Sequence, residues 1–67
     1  MTIVVNGNSL EISHSVKNIA DLLRELQLAD KSLIVEHNQN ILTKEQHEKV
    51  SVSDGDRLEI VHFVGGG

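Results

Sequence analysis

The chain has 67 residues, 39% of them hydrophobic and 24% charged, which allows one small domain and no deep active-site cavity. It contains no cysteine, which excludes disulfides, thiolate chemistry and cysteine-based zinc sites and indicates a reducing compartment. Ten Asp and Glu against six Lys and Arg give a formal charge of -4, which opposes binding to polyanions, so we expect no nucleic acid partner.

The N-terminal segment lacks the features of an exported or membrane-inserted chain. Residues 1–5 contain no basic leader, and the apolar run ends at Asn6-Gly7. No stretch of the sequence approaches the roughly 18 apolar residues that span a bilayer. We therefore expect a cytoplasmic protein with no membrane partner.

The first predicted element is a β-hairpin. Residues 1–5 read as a strand with one buried face, because the two-residue period places Met1, Ile3 and Val5 on one face and Thr2 and Val4 on the other. Asn6-Gly7 then favours the positive φ angles of a tight turn, and Leu10 and Ile12 resume the alternation.

A helix of roughly ten residues is predicted after the hairpin, because the apolar period changes to that of an amphipathic helix. Asn18 is the predicted N-cap, and Asp21 places a carboxylate at the positive end of the helix dipole. We assign the apolar stripe to the core, since a domain this small has no other layer to bury it. The stripe consists of Ile19, Leu22, Leu23 and Leu26.

Three further strands are predicted in the second half of the chain. Residues 33–35 form a short β-branched strand, and a turn at residues 38–40 leads to a strand at 41–42. The polar residues 43–48 predict an irregular segment. A glycine turn at residues 53–56 precedes the last strand, which runs from Arg57 to about Phe63, with Leu58 and Ile60 facing one side and Val61 and Phe63 the other.

The element order β-β-α-β-β-β predicts an α+β fold in which a mixed five-stranded sheet packs on one helix. The connection between the first and last strands is long enough for them to lie parallel side by side. Such an arrangement is a β-grasp. We expect one domain over residues 1–63 and a flexible glycine tail over residues 64–67.

The segment from Val52 to Gly67 resembles the ubiquitin-like sulfur carriers, and most closely the ThiS family of thiamine biosynthesis. The resemblance rests on the Asp54-Gly55-Asp56 turn, the apolar strand that follows it and the ending Gly66-Gly67, and it extends over the whole chain in length and element order. Gly65 departs from the family pattern, in which alanine or another small residue more often precedes the two glycines.

The resemblance implies a chemistry for the C-terminus. The carboxylate of Gly67, with Gly66 beside it, would be adenylated by an adenylyltransferase of the ubiquitin-activating type, which supplies ATP and Mg²⁺. A sulfur-donating enzyme would then help convert it to a thiocarboxylate, whose sulfur enters the thiazole ring on thiazole synthase. The chain would bind no cofactor and act as a protein co-substrate rather than as an enzyme.

The residues themselves agree with that chemistry. A terminal carboxylate, with a pKa near ~3.5, is ionised at neutral pH and is a poor electrophile until it is activated. The chain has no phosphate-binding loop motif, so ATP has to be bound by a partner. Glycines without a Cβ let a tail enter a narrow channel. A linker or cloning scar is the alternative explanation of the glycines.

A partner-binding patch is predicted on the sheet face opposite the helix, because four apolar side chains point there. These are Val4, Ile34, Val61 and Phe63. Val64 and Gly65 would extend the contact along the tail. Two alternatives remain: residues 43–50 cover part of the patch, or Ile34 faces the core.

Other chemistry has little support in the sequence. We interpret the four histidines, His14, His37, His47 and His62, as surface residues, since their spacing matches no metal site. Asp54 and Asp56 are interpreted as turn residues rather than calcium ligands. No nucleophile motif or placed pair of carboxylates indicates intrinsic catalysis.

Three other functions remain open at this level. The small subunit of molybdopterin synthase resembles this fold and uses the same thiocarboxylate, but such subunits tend to be longer and to carry a proline before the tail, and this chain has no proline. A ubiquitin-like modifier and a binding module with an inert tail are the others.

Overall fold

A mixed five-stranded sheet with one α-helix packed against it forms the part of the chain that the computed structural model describes, residues 1–62. The strand order is β2-β1-β5-β3-β4. The elements are β1 (Thr2–Val5), β2 (Asn8–Glu11), α1 (Ile19–Glu25), β3 (Leu33–His37), β4 (Asn40–Leu42), a 3₁₀ helix (Lys44–Glu48) and β5 (Arg57–His62). The predicted β-grasp fold is therefore confirmed.

The β1–β2 hairpin follows from its two turn residues. Asn6 and Gly7 have φ angles of 51° and 84°, the conformation that both central residues of a two-residue hairpin turn require. Val5 pairs with Asn8 beside the turn, and the antiparallel register places Ile3 opposite Leu10. Ile3 is fully buried, so the predicted inward face is confirmed.

Helix α1 begins where the sequence predicts and ends earlier. The Asn18 side chain accepts a hydrogen bond from the backbone N–H of Asp21 at 2.8 Å, as expected of an N-cap. Gln27 adopts a positive φ of 62°, and the N–H of Leu28 donates to the carbonyl of Leu23 at 2.7 Å. This C-terminal closure ends the helix after seven residues instead of about ten.

The core lies between α1 and one face of the sheet. It contains three residues of the predicted helical stripe, while the fourth, Leu26, is partly buried at the edge. The inward side chains of β1, β3 and β5 complete it together with three residues outside the strands, Ile12, Val16 and Val52. Its members are Ile3, Ile12, Val16, Ile19, Leu22, Leu23, Val35, Val52, Leu58 and Ile60.

Residues 43–48, predicted to be irregular, contain a capped 3₁₀ helix instead. The N–H of Thr43 donates to Oε1 of Gln46 at 2.8 Å, and the N–H of Gln46 donates to Oγ1 of Thr43, which is a capping box. The 3₁₀ helix contacts α1 and β4. Val50 packs against the core, so this segment belongs to the helical side of the sheet.

Candidate functional site

The root of the C-terminal segment lies in the middle of the sheet. β5 pairs in parallel with β1, with Val5 opposite Leu58, and antiparallel with β3, with Leu33 opposite His62. Hydrogen bonds from neighbours on both sides therefore hold β5. The predicted site residues Phe63, Val64, Gly65, Gly66 and Gly67 lie outside the described residues, as does the predicted tail over 64–67.

A glycine turn positions the start of β5. Gly55 has a φ of 86°, a conformation that side-chain-bearing residues rarely adopt, and its N–H donates to the carbonyl of Thr2 at 2.7 Å. Oδ1 of Asp54 accepts a hydrogen bond from the N–H of Thr2, also at 2.7 Å. The turn thus ties β5 to the first residue of β1, and the structural role predicted for Asp54 is confirmed.

Asp56 anchors the same turn from inside the protein. Its Oδ2 lies 2.7 Å from Nε2 of His37 and accepts the N–H of Ser53 at 2.8 Å, while Oδ1 accepts a hydrogen bond from Asn38 at 3.2 Å. Burial by itself raises the pKa of Asp56. The hydrogen bonds from His37, Ser53 and Asn38 outweigh it and hold the pKa below its ordinary value of 3.8. The carboxylate therefore stays charged and fixes the base of β5.

We call the sheet face opposite α1 the outer face. Ile34 and Val61 are direct partners across β3 and β5 and are 36% and 56% exposed. Val4 on β1 is half-buried next to Arg57. Neither alternative from the sequence is observed. Residues 44–48 pack on α1. The side chain of β3 that faces the core is Val35 and not Ile34. The role of these residues in binding stays a prediction.

Four residues of the outer face, Glu36, Ile41, Arg57 and Glu59, were not part of the patch predicted from the sequence. Ile41 of β4 is 73% exposed and pairs with Glu36 of β3, which in turn pairs with Glu59 of β5. The alternation of Ile41 with the inward Leu42 was the available signal, but a strand of three residues does not tell which side is buried. Around β5 the outer face consists of Val4, Ile34, Glu36, Ile41, Arg57, Glu59 and Val61, and Thr2, Ser9 and Glu11 lie on the same face at its β1–β2 edge.

The prediction of four surface histidines is wrong for His47 and for His37. His47, in the 3₁₀ helix, is only 9% exposed, and its Nε2 is buried without a hydrogen-bond partner among residues 1–62. Burial, aided by the positive charge of Lys44, lowers the pKa of His47 below its ordinary value of 6.5. The His37 side chain is 14% exposed, because it is bonded to Asp56. His14 and His62 are exposed as predicted.

Among residues 1–62, no three His, Asp or Glu side chains lie together in a way that could hold a metal ion. No helix there has the length and apolar character needed to cross a bilayer. The arrangement that the described residues do offer is a charged and apolar outer face beside the root of a glycine-rich segment.

Comparison with known proteins identifies the family of this chain. A family model described as the ThiS family matches residues 3–67. The sulfur carrier protein ThiS of Bacillus subtilis (strain 168) is 44% identical over 63 residues, which are 94% of this chain and 96% of that protein. A thiazole synthase of Paramagnetospirillum magneticum is 42% identical over 67 residues, the whole of this chain but 20% of that protein.

The fold leads to the same group. The crystal structure of the thiamine biosynthesis protein ThiS from Geobacter metallireducens superposes with a TM-score of 0.84 at 33% identity, and the alignment covers 100% of both chains. A solution structure of a thiamine biosynthesis protein from the same organism gives a TM-score of 0.80. The family predicted from the Asp54-Gly55-Asp56 turn, the strand after it and the terminal glycines is confirmed: the chain belongs to the ThiS family of thiamine-biosynthesis sulfur carriers.

Proposed function

We propose that this chain carries sulfur as a thiocarboxylate on the α-carboxyl group of Gly67 and delivers it to thiazole synthase. The observation that carries the proposal is the position of β5, which pairs with β1 at Arg57 and Leu58, pairs with β3 as far as His62, and leads directly into residues 63–67. The family match, which extends through Gly67, supports it. In this proposal the partners bind the folded domain, and the domain presents Gly67 to their active sites.

The proposed charging reaction has two steps. In the first, a carboxylate oxygen of Gly67 attacks the α-phosphate of ATP, an acyl-adenylate forms and pyrophosphate leaves. In the second, a sulfur nucleophile at the oxidation level of sulfide, delivered by a sulfur-donating enzyme, attacks the carbonyl carbon and expels AMP. Adenylation has to come first, because the free carboxylate is a poor electrophile. Gly66, without a Cβ, leaves the carbonyl open to both reagents.

The adenylyltransferase of the ubiquitin-activating type supplies ATP and Mg²⁺ in this scheme. It has to hold the domain while the tail lies in its active site. The outer face suits that purpose because Ile34 and Val61 pair at the end of β5 from which the tail leaves. We propose that Val4, Ile34 and Val61 contact the partner, and that Phe63, Val64 and Gly65 continue the contact along the tail.

Thiazole synthase is the proposed acceptor of the sulfur. The support is the thiazole synthase of Paramagnetospirillum magneticum, which contains a segment similar to the whole of this chain. A carrier-like segment within that protein indicates that the two activities work together. The chain acts in this scheme as a co-substrate that is consumed and recharged, in the cytoplasm where ATP is available.

Mass spectrometry of the protein isolated from its native cell tests the proposal. We expect the C-terminal peptide to end at Gly67 and to gain the mass difference between sulfur and oxygen under sulfur-replete conditions. A variant without Gly67 is the control and should stay unmodified. An unmodified tail in the wild type, covalent adducts on other proteins, or sulfur transfer only to a pterin precursor would each contradict the proposal.

A further inference from the structure

The outer face carries a pair of carboxylates between its apolar side chains. Glu36 of β3 and Glu59 of β5 are direct partners in the antiparallel register. Ile34 and Val61 form the next pair on this face, toward the C-terminal end of β5. Ile41 of β4, the other neighbour of β3, lies opposite Glu36. Any protein that covers the apolar residues therefore covers the two glutamates as well.

These two charges are not neutralised within the described chain. Like charges directly opposite each other destabilise a sheet, so the pair has a cost in the free protein. The ion pairs present within residues 1–62 are Arg24 with Asp21 and His37 with Asp56, and neither involves the glutamates. Arg57 shares their face, but one guanidinium offsets only one of two negative charges. The outer face keeps a net negative charge at its centre.

A groove beside the pair offers room for a side chain from outside. It has a volume of about 480 Å³ and lies between the β1–β2 turn and the β3–β4 turn. Its lining residues are Val4, Gly7, Glu36, Asn38, Gln39, Arg57, Leu58 and Glu59. Both glutamates thus border a concave surface rather than a flat one.

The physical chemistry of burial limits what can dock here. An apolar partner surface would remove two carboxylates from water without compensation, which is strongly unfavourable. A guanidinium group satisfies the pair best, because its planar set of five donors can bond two carboxylates at once and it is more weakly hydrated than an ammonium group. Arginine is also enriched at the centre of protein interfaces.

We propose that the adenylyltransferase that activates Gly67 presents an arginine, surrounded by apolar side chains, to Glu36 and Glu59 when it covers the outer face. The inference rests on the proposed function, which requires this enzyme as the first partner of the charging cycle. The apolar residues supply contact area, and the carboxylate pair selects a partner of complementary charge.

The experiment uses the full chain and the purified adenylyltransferase from the same genome. Glu36→Gln, Glu59→Gln and the double variant remove the charges with little change of shape. Glu25→Gln, an exposed residue at the end of α1 on the other side of the sheet, is the matched control with the same change of net charge. Dissociation constants are measured by calorimetry at two salt concentrations, and KM and kcat by pyrophosphate exchange.

We expect each single variant to raise the dissociation constant and KM by at least about tenfold, with kcat unchanged, as for loss of one buried charge pair. The double variant should lose most of the salt dependence of binding, whereas Glu25→Gln should stay within about twofold of wild type. The melting temperature of Glu36→Gln should equal or exceed that of wild type, because repulsion is relieved. An unchanged or higher melting temperature would show that the weaker binding of the variant does not come from a less stable fold.

The inference is overturned if the glutamine variants bind like wild type, if Glu25→Gln weakens binding equally, or if the wild type does not bind the enzyme. Failure of the proposed function has a different signature. In that case the wild type would bind with the expected dependence on Glu36 and Glu59, but it would support no pyrophosphate exchange and acquire no thiocarboxylate.

Discussion

The buried His47 leads to the prediction that His47→Leu stabilises the domain. Nε2 of His47 has no hydrogen-bond partner among the described residues, and His47 borders a pocket that Leu23 and Ala29 also line. Burying a polar group without a partner costs about 1–3 kcal/mol, and leucine removes that cost while it keeps the apolar contacts. We expect the free energy of unfolding to rise by about 1–2 kcal/mol at pH 7.

The same substitution should change how stability depends on pH. The pKa of His47 in the folded protein is below its ordinary value of 6.5, because burial and Lys44 disfavour the charged ring. Below pH 6.5 the unfolded chain therefore binds a proton that the folded chain resists. The stability that neutral His47 contributes to the fold is fully present above pH 6.5, and it is lost as the pH falls from 6.5 toward the lowered pKa of His47. His47→Leu should lose this part of the acid sensitivity.

Urea unfolding at pH 7.5 and at pH 5.5 measures both effects. Circular dichroism is the suitable signal, since the chain contains no tryptophan or tyrosine. His14→Leu is the control, because His14 is exposed and its replacement should change stability by less than about 0.5 kcal/mol. A leucine variant that is less stable than wild type and has the same pH dependence would refute the reasoning, since Nε2 would then have a partner.

Three further predictions concern the turn, the outer face and the tail. Asp56→Asn should lower the free energy of unfolding by about 1–3 kcal/mol, because it removes the charged hydrogen-bond acceptor at the base of β5. It should also flatten the loss of stability below pH 3.8, because the lowered pKa of Asp56 stabilises the fold above that pH. Urea titrations measure both effects, with Asp30→Asn, a change at an exposed residue, as the control. Val61→Asp should raise the KM for adenylation much more than it lowers the melting temperature, since Val61 is 56% exposed; equal damage to both would place Val61 in the core. Deletion of Gly67 should abolish pyrophosphate exchange and leave the melting temperature unchanged, and a large drop in that temperature would show a packed tail.

Short-range interactions made much of the fold predictable. The turn at Asn6-Gly7 and the N-cap at Asn18 depend only on the residue and its immediate neighbours. The alternation in β5 likewise predicted that Leu58 is buried and Val61 exposed. The capping box from Thr43 to Gln46 depends on local residues in the same way, although this segment was predicted to be irregular. The predicted role of Gly66 and Gly67 came from the family resemblance.

The amino-acid sequence by itself determined the strands, the α-helix and their inward faces, because periodicity, turn residues and capping are local properties of the chain. It indicated the family through its resemblance to known sulfur carriers. Tertiary structure alone decided the register that pairs Glu36 with Glu59 and turns Ile41 outward. It also decided that a polar segment packs on α1 and buries His47. Pairing between strands and the burial of a side chain depend on residues that are distant in sequence, so no local pattern specifies them.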